Sequence, residues 1–217
     1  MTIRSTFDRE LSDMDDNILK LSSMAESSMY KALEALTSRN ELLAREVVIG
    51  DEQINELRYE IEQKGMQMLA MQQPTASDLR HILAALYIAN ELERIGDHAK
   101  GIARLVSRLD EQPEELNRLP KMAKRAHKML RHSIQAYLTR DVERAEQVIE
   151  RDSKLDSHYQ RLTRDLFEEL DDPNSNVQMP TYLLWVGHNF ERIGDRVANI
   201  AERVIFMVEN RYVELDV

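Results

Sequence analysis

The sequence predicts an all-α protein built from two tandem, pseudo-symmetric, antiparallel three-helix bundles. The first observation is a verbatim repeat. The pentapeptide Glu-Arg-Ile-Gly-Asp at residues 93–97 returns 98 residues later, at residues 191–195, and such a repeat indicates an internal duplication. The second is composition: 42% hydrophobic and 31% charged residues, with only 6 Gly and 5 Pro, are typical of a helical globular protein.

Six helices follow from the spacing of apolar residues by three and four positions. Asn40 is suited to cap the second helix, and Pro74 ends it because proline cannot continue a helix. Thr75 or Ser77 can cap the third helix, and Pro180 suits the first turn of the sixth. The predicted helices run over about residues 5–36, 40–72, 75–108, 121–138, 141–171 and 179–211.

The two halves of the chain match beyond the pentapeptide. The second helix matches the fifth at an offset of 101 residues, which pairs Asp51 with Asp152. The third helix matches the sixth at an offset of 98 residues. Residues 109–120 are charged and contain two prolines, so they form the predicted linker. Residues 1–110 and 111–217 are therefore the two predicted domains, each an antiparallel bundle because its turns are short.

The repeated pentapeptide is costly on a helix. Glu93 and Asp97 lie side by side at i and i+4, and like charges at this spacing cost about 0.2–0.5 kcal/mol. Gly96 costs about another 1 kcal/mol relative to alanine. Both carboxylates lie about 140° from the apolar seam of their helix and face away from the core of their own bundle. We expect a shared cation and a close backbone neighbour at the glycine to offset these costs.

Composition restricts the chemistry of the chain. The net charge of −10 and the pI of about 5.2 disfavour nucleic acid as a partner. The chain has no cysteine, so any metal must be held by oxygen or imidazole. A cytosolic location fits this composition. No apolar run is long enough to span a membrane, and the N-terminus does not resemble a signal peptide. The sequence contains no nucleophile with a base and no phosphate-binding glycine loop.

Two interpretations of the acidic pairs remain open. Glu93 with Asp97 could form a solvated acidic face, as could Glu191 with Asp195, with a neighbouring arginine as partner. Two identical copies favour a metal-binding or anchoring role instead. Oxygen ligands indicate Mg²⁺, Ca²⁺, Mn²⁺, iron or zinc.

Three further residues are weaker candidates as ligands. Asn199, four residues after Asp195, could add a carbonyl oxygen. We assign Lys100 to the place of Asn199 in the first copy, and expect the second site to bind metal more tightly because a protonated lysine cannot be a ligand. Asp51 and Asp152 are either additional ligands or caps and salt-bridge partners. The histidines next to the motifs, His98 and His188, are interpreted as surface residues.

The doubled Glu-Arg-Ile-Gly-Asp motif resembles the PhoU family, accessory regulators of the bacterial phosphate-specific transport system. So do Gln73-Pro74 followed by Asp78-Leu79-Arg80, and the run 199–202, Asn-Ile-Ala-Glu. The resemblance implies six helices in two similar bundles. It also implies metal ions or clusters at the Glu-x-x-x-Asp motifs, here Glu93, Asp97, Glu191 and Asp195. One departure is that residues 176–178, Asn-Val-Gln, lack the Asp-Leu-Arg of the first half.

The resemblance further implies repression of the phosphate-starvation response. Such a protein acts between the transporter's cytoplasmic ATPase and a membrane-bound sensor histidine kinase, and often forms a homodimer. We therefore expect a cytoplasmic, metal-binding regulatory adaptor without enzymatic activity, which reaches the membrane only through its partners. The alternatives are an oxygen-ligated metalloenzyme and a purely structural helical scaffold.

Overall fold

The computed structural model describes residues 3–109, 119–170 and 177–213. In these ranges the chain forms six α-helices and one short 3₁₀ helix, Val106–Arg108, and no strand. The helices are α1 (Ile3–Ser38), α2 (Glu41–Gln72), α3 (Ala76–Leu105), α4 (Leu119–Thr139), α5 (Val142–Leu170) and α6 (Gln178–Glu209). The all-α class and the two three-helix bundles are confirmed.

Local sequence accounts for most helix ends. The Asn40 side chain accepts a hydrogen bond from the Leu43 backbone N–H at 3.1 Å, which confirms the predicted cap of α2. Asp141 caps α5 in the same way, by accepting from the Arg144 N–H at 3.0 Å. Thr75 occupies the cap position of α3 but makes no side-chain cap hydrogen bond.

The predicted linker is shorter than expected at its C-terminal end. Leu119 and Pro120 belong to the first turn of α4, where proline is tolerated because its missing N–H would have no helical partner. Residues 110–118 lie outside the described residues, as does the predicted end of the fifth helix at 171–174. The predicted domain boundary between residues 110 and 111 therefore stays a prediction.

The two bundles are fused along one seam. Helices α1, α2 and α3 pack on one another, as do α4, α5 and α6, and α3 also packs against α6 while α1 packs against α4. The buried apolar side chains of both halves form one connected cluster. The central isoleucines of the two motifs, Ile95 of α3 and Ile193 of α6, are both fully buried. The repeated motifs therefore lie on the two helices that join the halves.

A polar network ties the halves together near the α3 N-terminus. The Tyr137 hydroxyl donates to Asp15 Oδ1 at 2.5 Å. His81 Nε2 lies 2.7 Å from the same oxygen and 3.2 Å from the tyrosine hydroxyl. Tyr137 and His81 are buried, and burial raises the pKa of the Tyr137 phenol well above its usual value, with Asp15 adding to the rise. The network connects α1, α3 and α4 through buried hydrogen bonds.

Among the described residues, no helix is long and apolar enough to cross a membrane.

Candidate metal centre

The two copies of the motif differ in exposure. The Asp97 side chain is 54% exposed, whereas the Asp195 side chain is 29% exposed and the Glu191 side chain 16%. Arg192 lies 2.8 Å from Asp195 and 3.2 Å from Glu191, so the expected arginine partner is present in the second copy. The second pair of carboxylates is therefore the less hydrated one, and ionisation costs more there.

Each motif glycine allows a neighbouring helix to approach closely. A Cβ added to Gly96 would lie 2.9 Å from Ile54 and 3.5 Å from Asp51 Oδ1, both on α2. A Cβ added to Gly194 would overlap Leu155 and lie 2.8 Å from Asp152 Oδ1, both on α5. A close neighbour is present at each glycine, but it is formed by side chains and not by the backbone that was expected.

The same approach places Asp51 and Asp152 beside the motifs. In the first copy, the Lys100 ammonium lies 2.5 Å from Asp51 Oδ2 and 3.6 Å from Asp97 Oδ1. Asn55 also donates to Asp51 Oδ2, at 3.4 Å. Asp51 is 2% exposed, so a buried carboxylate is compensated by the protein's own ammonium group. The salt-bridge interpretation of Asp51 is the one that the structure shows.

The second copy gathers carboxylates instead. Asp152, Asp156 and Asp195 each offer an oxygen within 4.8 Å of the others, a spacing that could hold a metal ion. Asp152 Oδ1 and Asp156 Oδ1 are buried and have no hydrogen-bond partner in the described part of the chain, as is also true of Asp51 Oδ1 in the first copy. Buried polar atoms are normally paired. Three clustered carboxylates that leave two buried oxygens unpaired fit a divalent cation with hard oxygen ligands.

The electrostatics of this cluster agree with its geometry. Burial raises the pKa of Asp152 to about 7, and the carboxylates of Asp156, Asp195 and Glu191 add to the rise. Burial also raises the pKa of Asp156, Asp195 and Glu191, which Arg192 counteracts in all three. Arg196 also lowers the pKa of Asp195 but is shared with Glu91, so the positive charge here is less than that of four neighbouring carboxylates. A bound cation would supply the missing charge.

Sequence reasoning missed Asp156. A signal was available, because Asp156 follows Asp152 by four residues on one helix face, the same spacing as Glu191 and Asp195. At the offset of 101 residues it matches Asn55. The repeat thus contained the information that the second copy carries one more carboxylate than the first.

The pairing of Asn199 with Lys100 rested on an error of one residue in the alignment of the two halves. At the offset of 98, Asn199 matches Gly101, and Lys100 matches Ala198. The Asn199 amide donates to Glu91 of α3 at 3.2 Å, and its role as a metal ligand stays a prediction. The structure therefore directs Asn199 towards the seam between the halves.

The histidines beside the motifs belong to the same seam. His98 Nδ1 lies 3.0 Å from Asn189 Oδ1, and Arg196 reaches the buried Glu91 at 3.4 Å. Each residue that follows a motif aspartate thus contacts the opposite helix. His188 Nδ1 lies 3.5 Å from Glu191 Oε2, at the edge of the carboxylate cluster. His98 is half-buried and so is not the surface residue that was expected.

Glycine substitutions test the close approach of α5 to α6. Gly194→Ala should lower the free energy of unfolding by about 1–3 kcal/mol, because the new methyl group overpacks against Leu155. Gly50→Ala is the matched control, since nothing lies within 4 Å of its Cβ position, and it should raise stability by about 0.5–1 kcal/mol through helix propensity. Urea unfolding followed by circular dichroism measures both. A neutral Gly194→Ala would contradict the packing described here.

The raised pKa of Asp152 predicts a pH dependence of stability. A carboxyl group with a higher pKa in the folded state contributes stability at low pH, and this is lost as the pH rises from about 4 to about 7. In EDTA, the melting temperature of the parent should fall between pH 5 and pH 8, and the fall should be smaller in Asp152→Asn. Asp13→Asn, on the exposed face of α1, should retain the parent's slope. An equal slope in Asp152→Asn would contradict this assignment.

The comparisons with known proteins agree with the repeat. The family described as PhoU domain matches twice, at residues 18–106 and 119–204. The phosphate-specific transport system accessory protein PhoU homolog of Clostridium acetobutylicum is 34% identical over 216 residues, covering 98% of this chain and 99% of that protein. The homolog of the same name from Caulobacter vibrioides is 36% identical over 208 residues, covering 94% and 90%.

Solved structures show the same architecture. The crystal structure of the phosphate transport system regulatory protein PhoU from Streptococcus pneumoniae superimposes with a TM-score of 0.91 at 29% identity, covering 96% of this chain and all of that one. PhoU from Pseudomonas aeruginosa superimposes with a TM-score of 0.88 at 31% identity, covering 94% and 100%. On these matches, which extend over both halves, the chain belongs to the PhoU domain family.

Proposed function

We propose that this protein is a regulatory adaptor of phosphate transport that carries a divalent cation on α5 and α6. Family membership supports the regulatory role, since relatives are named accessory or regulatory proteins of phosphate transport. The same names favour an adaptor over an enzyme or a purely structural scaffold. The metal site rests on one observation, the clustering of Asp152, Asp156 and Asp195, in which the buried Oδ1 atoms of Asp152 and Asp156 have no hydrogen-bond partner.

The proposed ligands come from two helices. Glu191 and Asp195 of α6 are joined by Asp152 and Asp156 of α5, which supply the oxygen donors that Mg²⁺, Mn²⁺ or Ca²⁺ prefer. Iron or zinc is also compatible with carboxylate ligands. Once bound, the ion neutralises the repulsion among these carboxylates and joins α5 to α6.

The regulatory role also needs a surface for partners. Helix α4 carries five Lys and Arg residues and no Asp or Glu, although the whole chain has a net charge of −10. Between α1 and α4 lies a groove of about 850 Å³, with Leu19 and Ile134 at its base and Lys124, Lys128 and Arg131 on one side. An acidic segment of a partner protein would complement this groove, which we call the basic groove.

In the proposed mechanism, the protein acts in the cytoplasm by contact alone. It binds the ATPase subunit of the phosphate transporter and the sensor histidine kinase, and it restrains the phosphate-starvation response while phosphate is plentiful. A homodimer is part of this proposal. Family resemblance supports these partners, and the basic groove is the surface that we assign to one of them.

Metal binding is tested by titration with Mn²⁺. The parent should bind Mn²⁺, and its melting temperature should rise by several degrees and return with EDTA, because binding to the folded state alone stabilises it. Asp195→Ala should weaken binding at least about tenfold, equivalent to about 1.4 kcal/mol. Asp97→Ala should have little effect, because Asp97 already has an ammonium partner. If Asp97→Ala proved the more damaging change, our ranking of the two copies would be wrong.

Regulation is tested in a deletion strain grown in phosphate-rich medium. Deletion should raise the expression of phosphate-scavenging genes, and the parent gene should restore repression. Lys124→Glu with Arg131→Glu should fail to restore it and should lose the kinase or the ATPase in a pull-down, because charge reversal repels an acidic partner.

Lys154→Glu with Arg164→Glu is the matched control, since both residues are exposed on α5 away from the basic groove. This control should restore repression as the parent does. An unchanged response in the deletion strain would refute the regulatory role. Full repression by the groove variant would refute the assignment of the groove alone.

A further inference from the structure

We infer that the first copy of the motif is closed to metal by the protein's own cations, so that each chain carries one metal centre instead of two. The inference rests on the proposed metal site of the second copy. Lys100, supported by Arg58, takes the place that the ion takes in the other half. The repeated motif thus has the same acidic residues in both copies but a different source of positive charge.

Lys100 contacts two carboxylates of the first copy. Its ammonium lies between Asp51 and Asp97, at 2.5 and 3.6 Å, which is where an ion shared by these carboxylates would lie. The hydrogen bond with Asp51 raises the pKa of Lys100, although burial opposes the rise. The lysine therefore stays protonated, and a divalent ion would have to displace a charged group that is already paired with a buried carboxylate.

Matching positions of the repeat differ in charge between the two copies. At the offsets established above, Lys100 corresponds to Ala198. Arg58 corresponds to Tyr159, and Asn55 to Asp156. Each of the three differences makes the first copy more positive by one charge. The shared residues Asp51 and Asp152, Glu93 and Glu191, and Asp97 and Asp195 remain acidic throughout.

Arg58 completes the neutralisation of the first copy. Its side chain is 17% exposed and pairs with Glu62 at 2.8 Å. Burial raises the pKa of Glu93, with Asp97 adding to the rise, whereas Arg58 is the first of the charges that oppose it. Tyr159 brings no charge to the corresponding place in the second copy, where the Oδ1 atoms of Asp152 and Asp156 lack a hydrogen-bond partner; in the first copy Asp51 Oδ1 lacks one too, but Asp51 Oδ2 is paired with Lys100.

The pairing of Asp51 with Lys100 differs from an ordinary surface salt bridge. Such pairs contribute little and tolerate loss of either partner, whereas Asp51 is 2% exposed and a buried charge needs compensation. Its counterpart Asp152 keeps the same place beside a motif glycine without any lysine. The two copies therefore compensate equivalent carboxylates by different means.

The inference is tested by giving the first copy the residues of the second. We would compare the parent with Lys100→Ala/Asn55→Asp by Mn²⁺ titration and by Mn²⁺ content after gel filtration. The double variant should gain a second class of site and about twice the Mn²⁺ content of the parent. Adding Asp195→Asn should remove the site of the parent and leave the new one. Circular dichroism verifies that each variant is folded.

Lys20→Ala/Gln67→Glu is the matched control, because both residues are exposed away from the motifs and the net charge changes by the same amount. This control should bind as the parent does. A parent that already binds at both copies, or a folded double variant that gains no site, would overturn the closure by Lys100 while leaving the proposed metal site intact. A parent that binds no Mn²⁺ would overturn the metal site itself, and this inference with it.

Discussion

The packing of α3 against α6 is the contact on which the rest of this structure depends. These two helices close their own bundles, join the halves and carry both motifs. Ile95 and Ile193 of these helices are fully buried. Two polar pairs cross between the helices, His98 with Asn189 and Arg196 with Glu91. Buried polar pairs of this kind specify one register, because any slip would leave their charges and amides unpaired.

Each half holds several carboxylates close together and partly buried. This crowding of carboxylates arises at the glycine of each motif, because the glycine lets a neighbouring aspartate approach the motif helix. In the first half, the ammonium of Lys100 and the guanidinium of Arg58 compensate the negative charge of the carboxylates. The second half has Arg192 against four carboxylates, with Arg196 shared between Asp195 and Glu91, and a bound cation would complete the compensation. The duplicated bundle has thus kept one framework with two electrostatic solutions.

Much of the architecture could be predicted from the sequence because it depends on local signals. Apolar spacing located all six helices, Asn40 and Pro74 marked the boundary regions of α2, and the repeated glycine correctly indicated a close neighbour. The pairing of Asn199 with Lys100 was wrong because the third and sixth helices match at an offset of 98 residues, and a slip of one residue rotates a side chain by about 100° around the helix. Asp156 was missed although its spacing of four residues from Asp152 was visible in the sequence, because only the docking of α5 on α6 shows that this pair lies beside Asp195.

The two-residue turns within the halves have a consequence for the order in which the molecule assembles. Arg39 and Asn40 alone join α1 to α2, and Arg140 and Asp141 alone join α4 to α5, so closing these loops costs little conformational entropy. The seam between α3 and α6 instead unites segments about a hundred residues apart, and distant contacts form slowly. Each helical hairpin can therefore form early, whereas the apolar surfaces through which α3 and α6 pack stay exposed to solvent until the two halves dock. That interval is when the chain is most exposed to association with its neighbours.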